Sequence, residues 1–419
     1  MTLEADQAGP VSAGPAARVL APLRDRDFRL YFIGQLLSQI GDGIFVVSLP
    51  FLVLRQGGGT VQLGIVLACY GATRLAALPV GGTIADRLGA RTVMLWSDAA
   101  RVIAVLALAY LATQGHVATW ALIAFAVPFG ALDGLFQPAS YAVLPEIVAD
   151  EALPAANSLN STMQSVAQIA GPAIGGLVVA GLASGTAFLL DAVTFAVSSA
   201  TLLAIRRRRA GPAAETSADP EDGPRNWTSV LRYLWSSRLL RMSLLVTVVV
   251  NLAYDGMMEV ALPDFALNAL GGAWTFGVIM AGFGLGSVVG ALFGETFLRL
   301  RHRGRLALCV GIAQGLAVVC IPIGATVAGA VAAMFVAAAL QAVANVFYLT
   351  MLQRDVPSGA LGRVMSLMLT CAYLAYPVST VLSGAVSAAA GPAAVIVAGG
   401  VAICAAFAIG FTSKYYRNL

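Results

Sequence analysis

The chain has 419 residues, 59% of them hydrophobic and only 11% charged, with a formal net charge of +4. A soluble chain of this length would fold as two or three domains behind a charged surface. So apolar a composition excludes that class and places the chain in a membrane.

Crossing a ~30 Å hydrocarbon core takes about 20 apolar residues, and such runs recur along nearly the whole chain. Residues 1–28 are polar and Pro/Ala-rich with no apolar h-region, so no cleavable signal peptide is expected. Spans follow near 30–54, 62–84, 92–113, 118–140, 156–182 and 186–205. A long polar break, 206–238, begins with the basic run Arg206–Arg209. Six further spans lie near 241–267, 274–298, 305–325, 328–351, 362–388 and 393–413. The expected organisation is an N-terminal tail (1–28), a six-helix half (29–205), a linker (206–238), a second six-helix half (239–413) and a short tail (414–419).

Every Arg and Lys except Arg55, Arg74 and Arg101 falls in the tails, the linker or the even-to-odd connections. By the positive-inside rule these segments face the cytoplasm, with both termini inside a multi-pass protein of the cytoplasmic membrane. The same asymmetry accounts for the positive charge, so no nucleic-acid partner is expected. The Arg206–Arg209 run reads as an anchor at the anionic inner leaflet. All five cysteines lie in apolar runs without CxxC spacing, and His116 and His302 are far apart, so no metal site is expected. No GxxxxGK[ST] loop is present. With no soluble stretch large enough for a nucleotide domain, neither a cofactor nor an ATPase subunit is expected.

Ionisable residues inside spans are costly and therefore functional candidates. Asp42 lies mid-span in Gly41-Asp42-Gly43, Asp133 in the inner half of the fourth span, and Asp255 and Glu259 one helical turn apart in the seventh. Like charges so close in a low-dielectric span are candidates for proton carriage. Static pairing with Arg74 or Arg101 is the alternative for each acid, and Asp98 with Arg101 fits a structural pair well. Asp191 opens the sixth span and suits capping or packing. Polar residues outline an amphipathic cavity: Gln35 and Gln39, Gln164 and Gln168, Asn251 and Tyr254, with Gln341, Asn345, Tyr373 and Tyr376 facing them. Spacings of three or four put each pair on one helical face, where hydrogen bonding between helices is the competing explanation.

Two motifs carry a family resemblance. Gly82, Asp86, Arg87, Gly89 and Arg91 form a tight charged loop between the second and third spans, and Gly171-Pro172-Ala173-Ile174-Gly175-Gly176 lies in the fifth. Together they resemble the signature loop and antiporter motif of the major facilitator superfamily, although Ala90 stands where that family usually has a second basic residue. Arg26-Asp27-Phe28-Arg29, Pro145-Glu146-Ile147-Val148 and Gly362-Arg363-Val364-Met365-Ser366 are similar to its macrolide-efflux-like and siderophore-exporter-like branch. The resemblance implies an all-α fold of twelve transmembrane helices in two six-helix pseudosymmetric halves around a midplane cavity. It implies that Asp86 meets the cytoplasmic end of the eleventh helix as part of an inner gate. It further implies proton-driven export, with Gly171, Pro172, Gly175 and Gly176 marking efflux, and an amphipathic antibiotic, other metabolite or siderophore as cargo. An uptake or facilitative carrier is the alternative, and a polytopic enzyme or permease subunit the remote one. Since one chain supplies both halves, a monomer is expected, with lipid, substrate and protons as its partners.

Overall fold

The computed structural model describes residues 20–411 apart from 116, 183, 207–226, 299–302 and 357. The Arg207–Arg209 part of the basic run, His116 and His302 lie outside the described residues. Among the described residues the regular structure is helical, with no strand. Eleven helices are long and apolar enough to cross a membrane, and a shorter apolar one, Gly304–Cys320, completes the expected twelve.

The first half comprises α1 (Arg26–Arg55), α2 (Gly59–Leu88), α3 (Ala90–Thr113), α4 (Thr119–Ala142), α5 (Leu153–Gly181) and α6 (Ser184–Ala204). In the second, α7 runs Arg238–Gly256, continues as a π turn over Met257–Ala261 and ends as Leu262–Ala269. It is followed by α8 (Ala273–Leu298), α9 (Arg303–Cys320), α10 (Val327–Asp355), α11 (Ser358–Ala390) and α12 (Pro392–Gly410). Most boundaries fall within a few residues of expectation. The ninth helix stops at Cys320 instead of 325, because Pro322 cannot continue the ladder and Gly324 turns with φ +78°.

Local chemistry explains the ends. Asp25 caps α1 by accepting from the Asp27 and Phe28 amides at 2.8 and 3.3 Å. Gly89 ends α2 at φ +85°, a conformation costly for a side chain, and α3 starts at once. The Ala90 amide is met by the Glu146 carboxylate at 3.3 Å, and Arg91 reaches back to the last carbonyls of α6, Leu202 at 2.6 Å and Leu203 at 2.9 Å. An acid at a helix start and a cation at a helix end both complement the peptide dipoles. The linker ends in a short helix, Trp227–Ser236, which buries Leu234 against Leu240, Leu352 and Val364 and exposes Trp235.

The halves touch along two seams. In the first, α2 lies on α11, where Thr60 Oγ1 donates to the Gly384 carbonyl at 2.9 Å and Gly64 lies under the Thr380 carbonyl. In the second, α5 lies on α8: a Cβ on Gly277 would sit 2.7 Å from the Pro172 carbonyl oxygen and 2.9 Å from Gly176 Cα. Phe51 and Val179 of the first half join Phe265 and Phe276 of the second in one apolar cluster. All these residues lie toward the end opposite the basic connections. At the basic end Gly82 and Gly362 have no neighbour within 4 Å of a Cβ position, and Asp86 is exposed without a hydrogen-bond or ion-pair partner among the described residues. Among the described residues Asp86 makes no contact with α11 in this conformation.

Overpacking a close helix contact costs typically 1–3 kcal/mol, so Gly277→Val should shift the equilibrium toward a form open at the opposite end. Spin labels at positions 87 and 362 would report a shorter distance than in the unmodified background. An unchanged distance distribution would contradict this role of the α5–α8 seam.

Candidate functional site

The first half holds a buried ionic network. Asp133 of α4 takes Arg74 Nε at 2.8 Å, Arg101 Nη2 at 2.9 Å and the Tyr70 hydroxyl at 2.8 Å. Arg101 of α3, 1% exposed, also pairs with Asp98 at 3.5 Å, and Asp98 accepts from Ser198 Oγ at 2.6 Å. Gln35 of α1 donates to Ser198 at 3.1 Å. The Arg101 guanidinium stands 4.5 Å from the Phe136 ring centroid and 5.3 Å from that of Phe195, which adds cation–π attraction. The sequence expectation of an Asp98–Arg101 pair is met, but the pair is one edge of a larger network centred on Asp133.

That network reaches the other half. Arg74 donates to Gln137 at 3.1 Å, Gln137 donates to the Tyr373 hydroxyl at 3.3 Å, and Arg74 lies 5.6 Å from the Tyr373 ring centroid. One turn along α11, Tyr376 donates to Glu259 and its ring meets Tyr70 edge-on at 6.5 Å. Glu259 owes its position to the π turn in α7. The Ser379 hydroxyl of α11 donates to the Leu252 carbonyl at 2.6 Å and accepts the Gly256 amide at 2.7 Å, replacing the bond those two groups would otherwise share. A side chain inserted into the ladder distorts a helix, and Pro263 has no amide to return to the Glu259 carbonyl. Asp255 and Glu259 are thus not simple neighbours on a regular helical face. Asp255 lines a cavity, whereas Glu259 is held by Tyr376.

The cavity, about 570 Å³, lies within the second half and is lined by Asn251, Tyr254, Asp255, Gln341 and Asn345 among apolar residues such as Phe283, Met368 and Phe407. It gathers five residues that the sequence put forward separately. Gln314 of α9 completes the polar set and was not anticipated, although a lone glutamine in an apolar helix was the available signal. Tyr254 OH, Gln314 Nε2 and Gln341 Oε1 are buried without hydrogen-bond partners among the described residues. Buried polar atoms are nearly always paired, so three orphans around one cavity mark a place built for a guest. Gln39, Gln164, Gln168, Asp42 and Asp133 do not line it. Asp42 is half-buried with no hydrogen-bond or ion-pair partner among the described residues, and Gln39 and Gln164 are half-buried while Gln168 is exposed.

The glycines of the fifth-span motif bind three helices together. Gly171 and Gly175 let α5 settle on α1 at Gly43 and Ile44, beside Asp42, and Gly176 faces Gly277 of α8. Small residues allow such close approach in membrane bundles.

Removing one partner of a buried ion pair costs about 3–5 kcal/mol, because the other charge is left uncompensated. Arg101→Met should therefore lower the thermal midpoint of the solubilised protein by far more than Asp98→Asn combined with Arg101→Gln. Equal losses for both variants would show that Arg101 acts through packing alone.

The profile of the Major Facilitator Superfamily matches residues 31–380. The chain is 28% identical over 369 residues to the multidrug efflux pump Tap of Mycobacterium tuberculosis, covering 86% of this chain and 87% of that one. It is 25% identical over 344 residues to the enterobactin exporter EntS of Citrobacter koseri, covering 81% and 80%. Among solved structures, the nucleoside transporter NupG superposes with a TM-score of 0.70 at 15% identity, over 93% of this chain and all of that one. A bacterial homologue of the human lysosomal transporter Spinster, in an inward-facing and unoccupied conformation, superposes with a TM-score of 0.68 at 13% identity, over 97% of both chains. Twelve apolar helices in two halves, an internal cavity and a family match across most of its length identify the chain as a membrane transporter that belongs to the Major Facilitator Superfamily.

Proposed function

We propose that this protein exports an amphipathic small molecule from the cytoplasm in exchange for protons, by alternating access in the cytoplasmic membrane. Both termini and the linker 206–238 lie in the cytoplasm, and the halves 29–205 and 239–413 rock against each other within one monomer. The efflux relatives and the positive-inside pattern support this direction. In this reading the basic end is the cytoplasmic mouth, open in the present conformation, while the α2–α11 and α5–α8 seams close the outer side. The signature loop at Gly82, Asp86, Arg87, Gly89 and Arg91 completes the inner gate when the halves close.

The observation that carries the proposal is the place of Asp255 in the cavity wall. A guest that docks beside a carboxyl competes with its proton, so binding and proton release become linked, and linkage of this kind is reciprocal. Asp255 is the one carboxyl among the described lining residues, which include no Arg, Lys or His. Arg74 and Arg101 are already engaged by Asp133. An apolar wall with one acid and three unsatisfied polar atoms suits a neutral or cationic amphiphile better than an anionic one. Asp42, on the helix that α5 grips, is the proton carrier of the first half, and Glu259 works with Asp255 in the second.

Everted membrane vesicles acidified inside should accumulate ethidium, used as a cationic amphiphilic probe, and a protonophore should collapse the accumulation. Asp42→Asn and Asp255→Asn should each reduce it by about tenfold or more, equivalent to about 1.4 kcal/mol of lost coupling per decade, with membrane insertion retained. Accumulation untouched by the protonophore, or undiminished in Asp42→Asn, would refute the coupling assignment. Accumulation only in right-side-out vesicles would point to an uptake carrier.

A further inference from the structure

Four polar side chains of α6 lie on the face that meets α1, beside apolar contacts such as Phe188 on Phe45. Asp191, Thr194, Ser198 and Thr201 recur at spacings of three and four, which puts them on one helical face. Thr201 and Ser198 lie against Gly34, and Thr194 and Asp191 against Gly41. A Cβ on Gly41 would stand 2.5 Å from Asp191 Oδ1, so α6 presents its carboxyl to α1 one residue from Asp42. The expectation that Asp191 caps the start of the sixth span is thereby corrected, whereas its packing against α1 is what the structure shows. With α6 starting at Ser184, Asp191 lies two turns inside it, 0% exposed and opposite the middle of α1.

Its surroundings fit a carboxylic acid better than a carboxylate. Oδ2 has no hydrogen-bond partner among the described residues. Oδ1 meets only Thr194 Oγ1, at 3.4 Å, and that hydroxyl is better placed to donate to the Asp191 backbone carbonyl at 2.7 Å. A hydroxyl has one hydrogen, so the remaining lone pairs of Thr194 face the carboxyl as acceptors. An O–H on Asp191 can donate to Thr194, whereas a bare carboxylate is left with one long contact of 3.4 Å, and a buried charge so poorly compensated is strongly disfavoured. The charged groups acting on Asp191 are Asp42 from α1 and Arg101 and Asp98 from α3. Arg101 does not serve as its counter-ion, being held by Asp98 at 3.5 Å and by Asp133 at 2.9 Å.

We infer that Asp191 is a second proton-carrying acid that works with Asp42 across the α1–α6 seam. The inference rests on the proton-coupled reading above and deepens it. Asp42, the less buried of the two, exchanges its proton with the surroundings, and fully enclosed Asp191 stores one out of reach of water. In the transfer between them the O–H bond on one carboxyl breaks as that on the other forms, so the charge of the pair is unchanged and no other reactant is needed. Ser198, two turns further along the same face, ties the seam to Asp98 and Gln35 and holds α1 and α6 in register for the exchange.

The test uses the full chain in proteoliposomes with ethidium as probe. If Asp191 carries part of the proton load, Asp191→Asn should lower the protons released per ethidium bound and cut pH-gradient-driven accumulation about tenfold, while counterflow, which needs no net proton movement, stays within about twofold of wild type. Asp191→Glu should restore the gradient-driven activity. Infrared difference spectra on ethidium binding should contain a protonated-carboxyl C=O band that Asp191→Glu moves in frequency. A wild-type protein without any pH-gradient drive overturns both the coupling reading and this inference. A proton-driven wild type whose release and accumulation are unchanged by Asp191→Asn overturns the role of Asp191 alone. A carboxyl band unmoved by Asp191→Glu does the same, even where Asp191→Asn fails to insert.

Discussion

Two guanidinium groups must be kept inside an apolar bundle, and Asp133 is what makes this possible. It touches Arg74 with one oxygen and Arg101 with the other, so α2, α3 and α4 are fastened at one carboxylate. Asp98 takes the remaining face of Arg101, and aromatic rings cover its plane. A buried ion pair gives little net stability compared with an apolar packing of the same shape, but it is costly to break. It therefore sets position and register in the first half more than it adds free energy. The acids beside it, Asp42 and Asp191, are left without a cation of their own.

The two halves solve the same packing problem differently. In the first, the interior is filled by the ionic network and by Phe45, Phe125, Phe129, Phe188 and Phe195 in mutual contact. In the second, the interior is hollow, with polar atoms of Tyr254, Gln314 and Gln341 left facing the space. The ion-paired network thus lies in one half and the cavity in the other. Tyr373, Tyr376, Gln137 and Arg74 connect them near the middle of the α2–α11 seam.

Glycine decides where the halves can meet. At Gly64, Gly176, Gly277 and Gly384 helices from different halves approach so closely that any side chain would displace backbone. These contacts are small, apolar and short of specific hydrogen bonds, apart from Thr60 on Gly384. Such a seam can open at modest cost, which alternation between two arrangements requires.

Much of this molecule is legible in its sequence for physical reasons. Hydrocarbon thickness dictates span length, and a glycine–acid–arginine turn of fixed spacing carries the family resemblance. The rank of polar residues as candidates was legible too, since each buried polar group inside a span needs a reason. What each polar group meets was not. Asp133 reads like any other intramembrane acid until α2 and α3 bring arginines to it. Asp191 reads like a cap until α6 is seen to start two turns earlier. Glu259 reads as stacked under Asp255 until Ser379 opens the ladder of α7 and turns it toward Tyr376. The sequence by itself determined that this is a twelve-helix membrane transporter, because composition and local motifs suffice for that. Only the tertiary structure decided which acids are paired, which stand alone and where the cavity lies, because those depend on contacts between helices far apart in the chain.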